Sequence, residues 1–262
     1  MGLLNSLAIN QQLILRMTVR DVLGRYRGSA LGVLWSFLSP IIMLAVYSFV
    51  FGLVFKARWG VETEQNFALI LFAGLIMHSF LAECLVRAPS IVVSNVNYVK
   101  KVVFPIETLA WVSVLSASFH FFISLSILFV ALLIMGDSIH LTWLYLPMIF
   151  LPLLLVCLGV MWVFSSLGVY IRDVSQMTGI LATVLLFLCP IMYPIEAIPE
   201  AYRFYIMLNP LSFLVEQART ILVFGGQPDF SGLALYGLGA LLFSQLSYVW
   251  FDKTKKGFAD VL

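Results

Sequence analysis

The sequence predicts an all-α membrane protein with six transmembrane helices, and three observations support this fold class. First, 62% of the 262 residues are hydrophobic and only 11% are charged, whereas roughly a quarter of the residues in a soluble domain are charged. Second, the charged residues leave six apolar stretches, each close to the ~20 residues that a helix needs to cross a bilayer. Third, these stretches lack the polar–apolar alternation of a membrane β-barrel.

The predicted spans are 33–55, 67–86, 108–134, 144–170, 175–195 and 230–251. Charged residues bracket them; Glu107 and Asp137, for example, flank the third. A helix satisfies all of its backbone hydrogen bonds internally, as the lipid core requires. Pro40, Pro152 and Pro190 fall inside spans, where they predict kinks. We therefore expect a single transmembrane domain that covers the whole chain, in the bacterial cytoplasmic (inner) membrane.

The Lys and Arg residues predict the orientation of these spans. Eleven of the fifteen fall in the N-terminal segment, in the connections after the second and fourth spans, and in the C-terminal tail. The other four, Lys56, Arg58, Arg203 and Arg219, fall in the alternate segments. Because cytoplasmic segments of membrane proteins are enriched in Lys and Arg, both termini are predicted to be cytoplasmic.

Residues 5–27, which precede the first span, have the pattern of an amphipathic helix at the membrane surface. The apolar arc of its helical wheel comprises Leu15, Val19, Val22 and Tyr26. The basic arc beside it comprises Arg16, Arg20 and Arg27. Arg25 lies off both arcs. A membrane anchor and a docking surface for a partner protein explain this pattern equally well, and both can hold at once.

The connection between the second and third spans predicts a short basic helix over 95–107. The helix contains Lys100 and Lys101 and is ended by Phe104-Pro105, because proline cannot continue a helical hydrogen-bond ladder. A helix of this kind outside the bilayer suits a groove on a partner protein. A cytoplasmic loop that merely carries positive charge explains the same residues, and on composition alone it is the simpler interpretation.

The segment 196–229, between the fifth and sixth spans, predicts an extracytoplasmic hairpin of two helices that are too short to cross the membrane. Asn209 and Pro210 separate the two helices, as the N-cap and first residue of the second helix. Gly225-Gly226 is expected to end that helix. Because irregular backbone at membrane depth is tolerated only against protein or a water-filled cavity, a re-entrant hairpin here indicates a pathway near the fifth and sixth spans.

The sequence lacks the residues that an energy-harvesting or catalytic site requires. The phosphate-binding motif G-x-x-x-x-G-K-[ST] is absent. A proton-coupled transporter needs ionisable residues within its spans, and only Glu83, His78 and His120 qualify. Glu83 can be solvated or paired with Arg87 one turn later, and the histidines fit an ordinary core. We therefore predict no catalytic residue, no metal and no cofactor in this chain, and no nucleic-acid partner.

Five short motifs give the chain a family resemblance. They are RDVLGRYRGSALGVLWSFLSPI at 20–41, NVNYVKKVVFPIET at 95–108, YIRDVSQM at 170–177, CPIMYP at 189–194 and LNPLS at 208–212. In this order, and in the right spans, they resemble the membrane subunits of type-2 ABC exporters of bacterial surface polysaccharides. The arginine-rich entry into the first span is most similar to the O-antigen permeases, and permeases for capsule and teichoic acid share the same motifs.

The resemblance implies a homodimer of the permease that works with two copies of a separate cytoplasmic ATPase, which would hold the ATP and Mg²⁺. It also implies that 95–107 is a coupling helix seated in a cleft of the ATPase, with the 5–27 helix beside it. The implied ATPase-coupling residues are Asn97, Lys100, Lys101, Phe104, Pro105, Arg172 and Asp173. The implied gate residues of the hairpin are Asn209, Pro210 and Glu216.

An undecaprenyl-type lipid-linked polysaccharide, most closely lipopolysaccharide O-antigen, is the substrate that the resemblance implies. Its pyrophosphate is expected to meet the basic residues at headgroup depth: Arg16, Arg20, Arg25 and Arg27. The conduit, walled by the first and fifth spans, would present rings and small side chains to the sugars: Ser36, Met43, Tyr47, Phe51, Phe187 and Tyr193. Ordinary core packing is the alternative for these six residues.

Other functions remain open at this point. A capsule or teichoic acid exporter, or a small-molecule ABC exporter, would use a permease with the same features. An intramembrane enzyme of glycolipid metabolism would share the membrane location, but it would need clustered carboxylates, metal ligands or a nucleophile elbow, and none is present in the sequence.

Overall fold

The computed structural model describes residues 3–56, 59, 67–100, 104–135 and 140–262. Within these residues the chain forms α-helices, short 3₁₀ and π-helical segments and turns, without a strand. The α-helices are α1 (Leu3–Arg25), α2 (Trp35–Tyr47), α3 (Phe67–Val93), α4 (Val96–Lys100), α5 (Thr108–Ile134), α6 (Leu146–Tyr170), α7 (Val174–Phe187), α8 (Glu200–Met207), α9 (Ser212–Leu222), α10 (Phe230–Thr254) and α11 (Phe258–Val261). The predicted all-α fold class is confirmed.

Five helical segments of the described chain are long and apolar enough to cross a membrane. They are Gly32–Val54, Phe67–Val93, Thr108–Ile134, Leu141–Tyr170 and Phe230–Val261. The first combines a 3₁₀ turn, α2 and a π-helical stretch at Ser48–Val54, and Pro40 lies inside α2. These segments overlap the first, second, third, fourth and sixth predicted spans.

The fifth predicted span, 175–195, is helical only over Val174–Phe187, so the six-span count is not confirmed. Its helix, α7, has 14 residues, or about 21 Å at 1.5 Å per residue, against a hydrocarbon core of ~30 Å. The helix ends at Phe187 because Pro190 disfavours helical geometry just ahead of it and Tyr193 donates a hydrogen bond to the Phe187 carbonyl at 2.7 Å. Pro190 therefore ends the helix rather than kinking it.

The connection after the second predicted span is shorter than expected, because α3 continues through Pro89 to Val93. Packing holds this last turn: a Cβ at Gly168 of α6 would lie 2.3 Å from the Pro89 carbonyl oxygen, so the two helices approach as closely as glycine allows. Of the predicted helix 95–107, only α4 is helical among the described residues. Lys101 lies outside them.

The hairpin between α7 and α10 has two short helices, α8 and α9, separated at Asn209 and Pro210. The expected cap is wrong in detail, since α9 begins at Ser212. Asn209 instead forms a tight turn in which its Oδ1 accepts from the Leu211 N–H at 2.9 Å. After α9, Gly225 has a φ of +66°, the left-handed conformation that favours glycine at a helix end.

The amphipathic helix α1 has a second apolar face beside the predicted arc. Ile14 and Met17 are buried, together with Val22 of the predicted arc, where α1 packs along α5. Leu15 and Val19 of that arc are 60% and 58% exposed and so do not pack on protein. The helix carries apolar residues on two faces, and a helical wheel does not show which of them meets protein.

α3 is the centre of the fold and packs against α5, α6, α7 and α9, while α10 packs on α6. From Phe67 to Leu81, every residue of α3 is buried except Ser79. The segment Gly32–Val54 contrasts with it, since only 6% of its most apolar stretch is buried. A span left so uncovered requires lipid or another protein surface around it.

Candidate functional sites

Five ionisable side chains form an ion-pair cluster where α1, α3 and α5 meet: Asp21, Arg25, Glu83, Arg87 and His120. Arg87 donates from Nη2 to both carboxylate oxygens of Asp21, at 2.9 and 3.0 Å. Arg25 donates to Glu83, and its Nε lies 3.7 Å from Asp21 Oδ2. Arg87 is farther from Glu83, at 3.9 Å, so the main cationic partner of Glu83 is Arg25 rather than the predicted Arg87.

His120 extends this cluster towards α2. Its Nδ1 lies 3.3 Å from Glu83 Oε2 and 3.2 Å from Arg25 Nη1, and its Nε2 lies 2.9 Å from the hydroxyl of Tyr26. In the tautomer with hydrogen on Nδ1, the imidazole donates to Glu83 and accepts from Tyr26. The histidine thus has partners on both sides, as a satisfied core residue does.

The cluster is sheltered, because its five side chains are only 20–27% exposed. Burial by itself raises the pKa of Asp21, but hydrogen bonds from Arg87 and Ser116 and the charges of Arg87 and Arg25 offset it. The pKa of Asp21 therefore lies below its usual range. Sheltered pairs are screened less than surface pairs, so charge attraction fixes α1 to the bundle.

A second group of contacts joins α1 to α4 at one end of the bundle, which we call the basic end and define by α4, the turn 104–107 and Lys255. Arg20 of α1 donates to the Tyr98 hydroxyl at 3.0 Å. The ring of Tyr98 stacks on Phe104, with centroids 4.5 Å apart. A displacement of α4 would therefore act on α1 through the hydrogen bond between Tyr98 and Arg20.

The start of α5 is tied to the end of α10 at the same basic end. Lys255 donates to Glu107 at 3.0 Å and lies 2.7 Å from Asp252. A cleft of about 510 Å³ opens beside this ion pair, and its walls include Asn10, Pro105 and Lys256. It is large enough to seat side chains of a partner protein.

A second cleft lies between the end of α3 and the segment that joins α6 to α7, and Val261 and Leu262 complete its wall. This cleft of about 300 Å³ is lined from one side by Ser90 and Val93 of α3, and from the other by Arg172. Asn97, Lys100, Arg172 and Asp173 are exposed, while Phe104 and Pro105 are half-buried. Phe258 of α11 closes the surface from behind, fully buried against Tyr170 and Phe251.

The four arginines expected to bind pyrophosphate are not equivalent. Arg16, Arg20 and Arg27 are exposed on and after α1. Arg25 is engaged in the ion-pair cluster, so its charge is already compensated by Glu83. Ion pairing with carboxylates therefore separates Arg25 from the other three arginines.

The residues expected to line a conduit separate into two groups. Ser36, Met43 and Tyr47 line a groove of about 340 Å³ between α2 and the face of α3 and α5. Phe51 lies farther along and stacks on Phe67 at 5.3 Å. The other two residues are at the end of α7: Phe187 is 58% exposed, and Tyr193 is half-buried and bonded to its carbonyl.

The opposite end of the bundle, the hairpin end, comprises the turn 188–194, α8 and α9, and it is organised by a fully buried arginine. Arg219 of α9 donates to the backbone carbonyls of Ile70, Pro190 and Ile191. Its guanidinium also lies 4.2 Å from the centre of the Trp59 ring. One side chain thereby joins α9 to α3 and to the turn after α7.

Glu216 and Asn209, two of the expected gate residues, support this arrangement. Glu216 accepts from Arg219 at 3.1 Å. Burial raises the pKa of Glu216, the Arg219 charge opposes the shift, and Glu196 adds to it, with a net rise. Asn209 donates to the Leu185 carbonyl of α7 at 2.9 Å, and the carbonyl of exposed Pro210 accepts from Tyr236.

Within the described ranges, no group of three or more His, Cys, Asp or Glu residues is placed to hold a metal ion. Cys84, Cys157 and Cys189 are buried free thiols. The ionisable clusters that do occur pair acids with arginines, lysines or a histidine. Such clusters fix helices to one another rather than presenting an open ligand set.

Sequence reasoning missed three of these features. Tyr98 sits inside a quoted motif, and Lys255 was counted only as a tail charge. Arg219 was counted only for orientation, although it interrupts the apolar stripe of Leu214, Val215 and Leu222 on α9. An arginine on the apolar face of a short helix is the signal that could have identified it, since buried charges require partners.

Comparisons with known proteins agree with this architecture. The model of the family described as ABC-2 type transporter matches residues 12–223. An O-antigen export system permease protein, RfbA, from Klebsiella pneumoniae is 27% identical over 252 residues, which cover 95% of both chains. RfbA from Myxococcus xanthus is 26% identical, over 95% of this chain and 94% of its own. The polysialic acid transport protein KpsM from Escherichia coli is 25% identical over 77% of each.

Proposed function

This chain belongs to the ABC-2 type transporter family, and we propose that it is the permease subunit of an ATP-driven exporter of lipid-linked O-antigen polysaccharide. Family membership makes it a multi-pass membrane transport subunit rather than an enzyme. Similarity along 95% of the chain to O-antigen permeases from two genera is the observation that carries the cargo assignment. The similarity to KpsM covers less of the chain.

The energy would come from a separate ATPase subunit, which would hold the ATP and Mg²⁺. We place its docking surface at the basic end, where the exposed Asn97 and Lys100 and the two neighbouring clefts provide a basic, uneven surface. The Lys and Arg distribution supports a cytoplasmic position for this end and for both termini. Two copies of the ATPase would engage two copies of this chain.

A homodimer is proposed because the first span is nearly uncovered. Only 6% of its most apolar stretch is buried, and exposed large side chains such as Ile41, Met43 and Val46 run along it. A second copy that packs here would enclose a path for the cargo between the two protomers. Phe187 of α7 and Tyr193 of the turn after it would then join Tyr47 and Phe51 along that path.

Movement would pass from the basic end to the spans through connected side chains. Closure of the ATPase would displace α4, and the Tyr98–Arg20 hydrogen bond would carry this displacement to α1. The ion-pair cluster would then transmit it to α3 and α5. At the far end, Arg219 would hold α9 in place against α3 and the turn after α7.

The proposal is tested by reconstituting the chain with its co-encoded ATPase in vesicles and supplying a lipid-linked O-antigen. We expect ATP-dependent appearance of glycan in the lumen of inside-out vesicles, and none with an ATPase whose Walker A lysine is replaced. A parallel arm supplies lipid-linked capsule and teichoic acid polymers. Export of only the capsule or only the teichoic acid polymer would reassign the cargo to that class. ATP hydrolysis without export of any polymer would refute the proposal.

A further inference from the structure

The groove between α2 and the face of α3 and α5 has a chemical character that its neighbours lack. Its volume is about 340 Å³, and four serines line it. Ser36 donates to the Val33 carbonyl, and the other three, from three different helices, are Ser39, Ser79 and Ser124. Aromatic rings such as Trp35 and Tyr47, together with aliphatic side chains such as Met43, form the rest of the wall. A few polar groups that converge in a mainly apolar cleft are the usual mark of a small-ligand site.

Ser79 shows that the polarity of this groove is not incidental. It is the one exposed residue in the fifteen-residue stretch of α3 from Phe67 to Leu81, all others being buried. A helix this well packed has a single position open to the groove, and that position carries a hydroxyl.

The three hydroxyls also lack internal partners. Some serines in the spans donate to the carbonyl four residues earlier, as Ser118 and Ser126 do at 2.8 and 2.7 Å, whereas Ser113 and Ser244 are buried without a partner. Within the described part of the chain, Ser39, Ser79 and Ser124 form no hydrogen bond. In a medium without water an unsatisfied hydroxyl is costly, so these three are available to a ligand that brings its own donors and acceptors.

The charges beside the groove indicate which ligand fits. His120 reaches the groove, but its two nitrogens already face Glu83 and Tyr26, and the charge of Arg25 is neutralised by Glu83. An anionic group would find no unpaired cation among the residues that line the groove. A neutral ring with several hydroxyls and apolar C–H faces would match both the serines and the aromatic wall.

We propose that this groove binds a neutral sugar unit of the exported polymer, with its hydroxyls bonded to Ser39, Ser79 and Ser124 and its C–H face against the aromatic wall. The inference rests on the proposed function and adds a saccharide subsite to it, on the part of the path wall that Tyr47 also lines. The volume limits the occupant to a short stretch of the polymer, since small-ligand pockets run from ~300 to 1,000 Å³.

The test uses the purified complex of permease and ATPase with a fluorescent oligosaccharide released by mild acid from the surface polysaccharide of the native strain. The triple variant Ser39→Ala, Ser79→Ala, Ser124→Ala removes the three hydroxyls without disturbing an internal bond, so it should fold normally. Each hydroxyl is expected to contribute about fivefold to affinity, and the triple variant should raise the Kd by about a hundredfold. The matched control, Ser126→Ala on the same helix, should leave the Kd within about twofold.

A chemical readout separates the sugar from other occupants. The native cysteines are buried, so a maleimide should label Ser79→Cys selectively, and the oligosaccharide should block the labelling. Protection by phospholipid alone, or a disulfide between two copies of Ser79→Cys, would overturn the inference, because lipid or a second protomer would then fill the groove.

The outcomes also separate this inference from the proposed function. If the wild type exports the polymer and the triple variant has an unchanged Kd, the saccharide subsite in the groove is wrong and the proposed exporter function still stands. A wild-type complex that hydrolyses ATP but neither binds nor moves this glycan would refute both the cargo assignment and the groove. Weakened binding together with slower export by the triple variant supports both.

Discussion

The two ends of this molecule hold their charges in opposite ways. Near the basic end, the ion-pair cluster matches Arg25 and Arg87 with the carboxylates Asp21 and Glu83, all about a quarter exposed. At the hairpin end, Arg219 is 0% exposed and is held mostly by backbone carbonyls. The charged side chains of the ion-pair cluster can exchange partners as the helices shift. Arg219 is bonded to three backbone carbonyls of two segments and has no alternative set of acceptors nearby.

This difference indicates a division of labour between the ends. A cluster with several alternative pairings allows α1 to move relative to α3 and α5 without exposing an unpaired charge. The buried side chain of Arg219 instead stabilises a single arrangement of α9, α3 and the turn 188–194. The basic end is thus built for transmission and the hairpin end for rigidity, and four predictions follow this contrast from the largest effect to the smallest.

Replacing Arg219 should cause the largest loss of stability. Arg219→Met leaves Glu216 without its cation and the carbonyls of Ile70 and Ile191 without a donor, at a cost of about 3–5 kcal/mol for a broken buried pair. We expect the thermal midpoint in detergent, followed by tryptophan fluorescence, to fall by ~10 °C. Arg219→Lys should not restore it, because one ammonium cannot reach all four acceptors. Arg203→Met, at the more exposed helix α8, is the control; equal losses would contradict a special role for Arg219.

Exchanging charges should distinguish the two ends directly. Asp21→Arg alone should destabilise the protein by about 1–3 kcal/mol, because Arg87 loses its doubly bonded carboxylate and meets a like charge. The double exchange Asp21→Arg, Arg87→Asp should recover part of that loss by restoring one pair of opposite charges, although Arg25 and Glu83 would then each meet a like charge. The equivalent exchange of Glu216 and Arg219 should recover nothing, because the carbonyl acceptors would then face a carboxylate. Recovery at both ends, or at neither, would remove the contrast.

Much of this fold was predictable because apolar length and charge placement are properties of the sequence itself. The limits 108–134 predicted for the third span coincide with α5, since Glu107 and the residues before Asp137 mark the change of solvent. The short α7 was not predicted, because an apolar run through Cys189 and Ile191 looks the same whether or not it is helical. The sequence predicts a kink at Pro190, but α7 ends at Phe187, three residues before this proline.

The sites were less predictable than the fold. Their residues come from segments far apart in the chain, as in the pairing of Asp21 with Arg87 and of Lys255 with Glu107. Periodicity reports which residues share a face, but not which face meets which partner, and for this reason Ile14 and Met17 were not predicted as the residues of α1 that pack on α5. The single exposure of Ser79 likewise depends on how α2 lies across α3.

Removing one tyrosine hydroxyl at each end should distinguish transmission of movement from rigidity, because each variant loses a single hydrogen bond. Tyr98→Phe loses the bond to Arg20 but keeps the stack on Phe104. Tyr236→Phe loses the bond to the Pro210 carbonyl but keeps its stack on Phe213. Each should cost about 0.5–1.5 kcal/mol. Only Tyr98→Phe should lower the polymer moved per ATP hydrolysed, in reconstituted vesicles; an equal drop for Tyr236→Phe would refute transmission through α1.

The pH dependence of stability should have opposite signs at the two ends, and this is the smallest effect. The pKa of Asp21 is lowered by Arg87, Ser116 and Arg25 against the effect of burial. Its contribution is therefore present above the unfolded pKa of ~3.9 and is lost as the pH falls through the lower folded value. The pKa of Glu216 is raised by burial, so ionisation costs stability once the pH rises above ~4.3.

Thermal midpoints measured from pH 3 to pH 7 for Asp21→Asn and Glu216→Gln, each against the wild type, should expose these signs. Asp21→Asn should lie closest to the wild type at the acid end and fall behind as the pH rises, because only the wild type gains the ion pair with Arg87. Glu216→Gln keeps an oxygen for Arg219 and should compare best with the wild type at the neutral end, where the wild type carries the cost of a buried carboxylate. If the thermal midpoints of both variants diverged from the wild type in the same direction with pH, the two carboxylates would affect stability in the same way. The contrast between exchangeable pairing in the ion-pair cluster and fixed pairing at the hairpin end would then be wrong.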